Sequence, residues 1–165
     1  MIVAKRSVPH RRPAQEAAPR GRRPKAVAAS IRYMESSALV AALLEHDPAV
    51  RKAPAGTRHV TSALTLAEAG RAIIRARAAG RLTPAEEQAA VRALRTFERR
   101  CFILDVDRDV LDRVRRPFPV EPIRTLDAVH LATAERLGEA PQVVTIVTRD
   151  DRVRDNARAL GYVVE

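Results

Sequence analysis

Residues 123–164 read IRTLDAVHLATAERLGEAPQVVTIVTRDDRVRDNARALGYVV, and this stretch decides the fold. Thr125 stands where a helix cap belongs and Gly138 where a helix ends. Val143 to Val147 is a β-branched run, apolar but for Thr145, as a strand covered on both faces should be. A second helix from Asp151 to about Leu160 closes at Gly161, and Tyr162-Val163-Val164 reads as an edge strand. Helix, strand, helix and strand in direct succession imply a parallel sheet with helices packed on it.

The same alternation extends upstream. Ile31-Arg32-Tyr33-Met34 predicts a short strand, and Ser36 or Ser37 is placed to cap a helix running to Leu44. Val60 ends a second strand, and a helix from about Leu64 to Ala79 stops at Gly80. Thr83-Pro84-Ala85-Glu86 is a capping box with proline at the first helical position. That helix runs to about Arg99 with Ala90, Leu94 and Phe97 facing inward. Cys101 to Leu104 predicts a strand with Cys101 in the core, and Asp107 starts a helix with Val110, Leu111 and Val114 inward. Pro117, Pro119 and Pro122 impose an extended loop before Thr125. The expected architecture is a three-layer α/β domain, mainly parallel, over residues 30–165.

The chain has 165 residues and a formal net charge of +10, unevenly distributed. Residues 1–27 carry eight Lys/Arg against the single Glu16, a net +7, in a Pro/Ala/Arg-rich setting without apolar period. Residues 1–29 are therefore expected to be a disordered basic tail, serving as a spacer or as a non-specific nucleic-acid arm. The lone Cys101 excludes a disulfide framework and points to a reducing, cytoplasmic setting. The longest apolar run, Ala38–Leu44, is far below the roughly 20 residues of a membrane helix. No apolar stretch follows the basic start, so no signal peptide is expected. The six glycines never fall two apart and the three lysines all lie within the first 52 residues, which excludes a P-loop, a dinucleotide fingerprint and a phosphorelay receiver. Ser37 stands where a HAD-type phosphatase needs its second aspartate.

In a parallel sheet the strand ends and the starts of the following helices share one face, where ligands bind. Glu35 follows the first strand, Glu68 lies early in the helix after the second, Asp127 in the first turn after the proline loop, and Asp150 three residues after Val147. Four carboxylates from four distant segments are expected to meet there. Crowded carboxylates repel and raise one another's pKa values unless a cation neutralises them. An all-oxygen set with retained water suits Mg²⁺ or Mn²⁺, and such a site can activate water for in-line displacement at a phosphodiester.

Four segments carry a resemblance: YMESSALVAALLE (33–45), TSALTLAEAGRAI (61–73), IRTLDAVHLATAERLG (123–138) and VTRDDRVRDNARALGYVV (147–164). From about Ile31 onward the chain resembles the PIN domain, most of all the VapC-type toxins of bacterial toxin–antitoxin pairs. The resemblance implies a Rossmann-like sheet and a Mg²⁺-dependent endoribonuclease (with Mn²⁺ as the other candidate metal). It also implies an RNA substrate, a cognate small antitoxin, a homodimer and no membrane association. Matching the family's acidic positions gives Glu35, Glu68, Asp127 and Asp150 as catalytic and metal-binding residues, with Ser37 and Thr148 in supporting hydroxyl positions. The family's first acid is usually aspartate. Glu35 has a longer stem that must fold back or push the metal outward, so the alternative is a catalytically weak or inactive module that binds RNA or protein. His130, three residues past Asp127, could pair with it on a metal, but the resemblance implies a packed or hydrogen-bonded histidine.

Overall fold

The structure, a computed structural model, describes residues 30–47 and 53–165. The basic tail expected over residues 1–29 lies outside the described residues. The sheet is formed by β1 (Ile31–Met34), β2 (Arg58–Ser62), β3 (Phe102–Leu104), β4 (Val144–Val147) and β5 (Val163–Val164). The helices are α1 (Ser36–Leu44), α2 (Ala63–Ala78), α3 (Pro84–Glu98), α4 (Arg108–Val114), α5 (Thr125–Glu135) and α6 (Asp151–Ala159).

All strand pairings are parallel and the order is β3-β2-β1-β4-β5. The chain builds outward from β1 through β2 to β3, then crosses over and builds the other way through β4 to β5. Strand order thus reverses between β1 and β4, and the crevice beyond their carboxyl ends is the ligand position of an open α/β sheet.

Strand alternation sorts the core into two layers. Ile31, Tyr33, Val60, Val144 and Ile146 face a cluster with Val110, Leu131, Val153 and Ala157 from α4, α5 and α6. Met34 and Val147 face the opposite way, against Leu39, Ala69 and Phe97 from α1, α2 and α3. On that second face the buried Arg32 pairs with the carboxylate of Glu165. Among the described residues, no helix is long and apolar enough to cross a membrane.

The Thr83 capping box forms as expected, Thr83 accepting from the Glu86 backbone while Glu86 accepts from that of Thr83. Other expectations need correcting. The cap of α1 is Glu35 rather than Ser36 or Ser37, because the glutamate side chain reaches back to the Ser37 N–H. Arg124, not Thr125, precedes the first turn of α5, and it makes no side-chain cap. Leu111 is exposed because α4 is only seven residues long and buries Val110 alone. Cys101 precedes β3 and is only partly buried. Phe102 is 54% exposed on the edge strand, with the Arg58 guanidinium 5.3 Å from its ring centre.

The proline loop is not loosely held. Buried Asn156 of α6 accepts from the Val120 N–H at 2.9 Å and donates to the Val120 carbonyl at 2.8 Å, mimicking a strand pairing. Glu121 accepts from the Phe118 and Ile123 N–H groups at 3.0 and 2.8 Å. The loop that delivers Asp127 is thereby anchored to the helix that begins after Asp150.

Candidate active site

At the carboxyl end of β1, the Glu35 backbone N–H still donates to the Val147 carbonyl of β4 at 3.0 Å. The chain then turns into α1, and the Glu35 side chain folds back over that turn, 3% exposed. One carboxylate oxygen accepts from Ser36 Oγ at 2.6 Å and from the Ser37 N–H at 3.0 Å. The other accepts from the Ser37 N–H, from Ser37 Oγ and, at 2.8 Å, from Thr148 Oγ1. The extra methylene is thus accommodated by folding back, and the buried charge is stabilised by a ring of donors at a helix N-terminus.

Ser37 and Thr148 also tie the two sides of the crevice together. Ser37 Oγ accepts from the Arg149 N–H at 2.7 Å, and Thr148 Oγ1 accepts from the Asp150 N–H at 3.1 Å. Asp150 in turn caps α6, accepting from the Arg152 and Val153 N–H groups at 2.8 and 3.3 Å. Asp151 points away and pairs with Arg154.

Glu68 projects from the second turn of α2 and meets His130 Nε2 at 2.8 Å. Partial burial works to raise its pKa, but hydrogen bonds from His130 and Ser36 and the nearby charges of His130 and Arg75 outweigh it, so the carboxyl titrates below its ordinary value. Asp127 behaves oppositely. Its pKa is raised, first by burial and then by the charges of Asp150 and Glu35, against the pull of Arg124 and His130. Its Oδ2 is buried with no hydrogen-bond partner among the described residues.

The structure therefore brings the four acids to one crevice in two linked halves. Glu35 and Glu68 are bridged by His130, and Asp127 and Asp150 bear on each other electrostatically. Among the described residues, no three acidic, histidine or cysteine side chains stand close enough to enclose a metal ion as they are. The donor set nonetheless fits a hard divalent cation: the ligands on offer are carboxylate oxygens, and Asp127 presents a buried oxygen with no hydrogen-bond partner among the described residues. Ser36 and the bridging role of His130 were missed in the sequence. The DAVH spacing puts His130 on the Asp127 side of α5, but no local signal tells that Glu68, 62 residues earlier, stands opposite.

A five-stranded parallel sheet with acids at its switch point defines an open α/β domain with an acidic ligand crevice. The family model of the PIN domain matches residues 32–159, and the chain belongs to that family. It is 41% identical over 139 residues to Ribonuclease VapC46 of Mycobacterium tuberculosis, covering 80% of this chain and 94% of that protein. It is 33% identical over 141 residues to Ribonuclease VapC35 of the same species, covering 80% and 93%. Among solved structures, the fold is similar to PAE2754 from Pyrobaculum aerophilum (TM-score 0.53, 21% identity, 82% of this chain and 83% of that one). It is also similar to a chain in the complex of VapBC2 from Rickettsia felis with a DNA fragment from their promoter (TM-score 0.54, 15% identity, 82% and 97%).

Proposed function

We propose that this chain is a VapC-type toxin whose ribonuclease activity resides in the crevice at the β1/β4 switch point. Glu35, Glu68, Asp127 and Asp150 hold a divalent cation there, Mg²⁺ or Mn²⁺. The observation that carries this reading is Asp127: a partly buried carboxyl with an unpartnered oxygen, beside two further acids, is a costly arrangement that a cation relieves. Close relatives named as ribonucleases over nearly their whole length support the same reading.

When bound, such a cation supplies a water of lowered pKa and shields charge developing on a phosphodiester. The chain's own residues do the rest. Ser37 and Thr148 fix the Glu35 carboxylate, and Asp150 caps α6 through one of its two oxygens. Asp127 is the acid most in need of a positive neighbour. Arg124 and Arg75 lie near these carboxylates and are suited to the phosphates of an RNA strand. Purified protein should cleave structured RNA with Mg²⁺ or Mn²⁺ and be silent in EDTA. Because Glu35 is folded back and Mg²⁺ demands near-ideal octahedral geometry, Mn²⁺ should give the faster rate. RNA binding without cleavage under either metal would favour the inactive binding module.

The partners we assign are RNA, a small cognate antitoxin and a second copy of the chain. An arginine from the antitoxin would replace the cation among the acids. For the dimer, the apolar pair Ile73 and Ile74 of α2 is a candidate contact. The structure buries Ile73 and leaves Ile74 50% exposed, so only Ile74 remains as a contact from that pair. The eight Lys/Arg of residues 1–27 should matter for RNA affinity alone. Deleting them should flatten the slope of log affinity against log salt while kcat is unchanged, and loss of folding on deletion would contradict this.

A further inference from the structure

We infer that His130 is a positioning residue that sets the Glu68 carboxylate against Glu35 through its Nε2 alone; this deepens the proposed function and rests on these acids holding a cation. Three elements meet at that nitrogen. It lies 2.8 Å from Glu68 Oε2 of α2, 3.3 Å from Ser36 Oγ and 3.6 Å from Glu35 Oε1 at the β1–α1 corner. His130 itself comes from α5, one turn past Asp127, and is 2% exposed.

The hydrogen bookkeeping is restrictive. The Ser36 hydroxyl has one proton, taken by a carboxylate (Glu35 Oε1 lies 2.6 Å away), so toward His130 it has only lone pairs to offer. The two carboxylates are acceptors as well. Nε2 therefore faces acceptors only and must carry a proton. Nδ1, at the other edge of the ring, is buried with no hydrogen-bond partner among the described residues. The ring thus has one working atom. Through it runs an unbroken polar chain, from Glu68 to His130 to Ser36 to Glu35, across the gap between α2 and the sheet.

Without that contact Glu68, whose side chain is 27% exposed, would be free to turn its carboxylate toward solvent. Partners that orient ligand carboxylates typically matter by about 10- to 100-fold in metal affinity or rate. An amide test separates positioning from packing. A glutamine amide nitrogen is attached one carbon beyond Cγ, like the Nε2 of histidine, whereas that of asparagine is attached at Cγ, like Nδ1. Both remove the ring, so both lose packing. Only His130→Gln can restore the donor to Glu68.

The measurement is Mn²⁺ binding by calorimetry to the full chain and its variants, together with steady-state RNA cleavage and thermal melting. His130→Gln should bind Mn²⁺ within about threefold of the parent, and His130→Asn about 10- to 100-fold more weakly. The His130→Asn loss should fall on kcat with KM for RNA nearly unchanged. In a Glu68→Gln background, His130→Asn should cost no further Mn²⁺ affinity, because the two changes remove one interaction. Equal Mn²⁺ affinity in His130→Asn and His130→Gln, whether both retained or both reduced, would overturn the assignment and leave a packing histidine. A parent chain that binds no Mn²⁺ would overturn the cation site itself, and this inference with it, before any variant is made.

Discussion

Asp127→Asn should lower RNA cleavage by about 10²–10³-fold while the metal-free protein melts at the same or a higher temperature. The two halves of this result have one cause. The Asp127 pKa is raised by burial and by the charges of Asp150 and Glu35. A carboxyl whose folded pKa exceeds its unfolded value stabilises the fold only while it is protonated. That contribution is fully present below the ordinary aspartate value of about 3.9 and is lost as pH climbs through the raised value. Once ionised, Asp127 therefore opposes folding until a cation arrives. The asparagine removes this repulsion along with the ligand. The difference in melting temperature between variant and parent should accordingly shrink on acidification through that window. An active Asp127→Asn protein, or one clearly less stable than the parent at neutral pH, would contradict the role assigned to this residue.

The second large effect concerns Glu35. Glu35→Gln should abolish cleavage, and it should also destabilise the fold by about 1–3 kcal/mol. Each Glu35 oxygen sits among donors: Ser36 Oγ, the Ser37 N–H, Ser37 Oγ and Thr148 Oγ1. An amide must turn its own N–H₂ toward one side of that ring, leaving buried donors facing each other. Glu35→Asp is the informative partner. Aspartate is a good helix cap, so it keeps the negative charge at the start of α1 and restores the residue usual in the family. It should keep or raise the cleavage rate and narrow the advantage of Mn²⁺ over Mg²⁺. Rates for Glu35→Gln equal to the parent's would show that Glu35 is a structural cap and would favour the binding module.

What could be read in the sequence was what chemistry writes locally. The Thr83 capping box, the glycines ending α2, α5 and α6, and the β-branched run of β4 each depend on residues a few positions apart, and they stand where expected. The placement of the four acids at strand ends and helix starts followed from parallel topology alone. Competition between neighbouring caps was not legible. Glu35, Ser36 and Ser37 all could cap α1, and the glutamate prevails because its longer stem reaches the Ser37 N–H while Ser36 and Ser37 donate to it. Neither was the outward turn of Leu111, since a seven-residue helix is too short for its apolar period to fix a face. The bridge from His130 to Glu68 is a long-range contact set by how α2 and α5 dock on opposite sides of β1, and no spacing in the chain records it.

The most direct test of the central claim is an anomalous difference map from crystals of the full chain grown with Mn²⁺. A peak is expected in the crevice beyond β1 and β4, about 2.0–2.3 Å from oxygens of Asp127 and at least one of Glu35, Glu68 and Asp150, and it should vanish in Asp127→Asn. A map with no peak among these four carboxylates at saturating Mn²⁺, or with the ion held elsewhere on the chain, would contradict the claim that they form the metal centre of a ribonuclease.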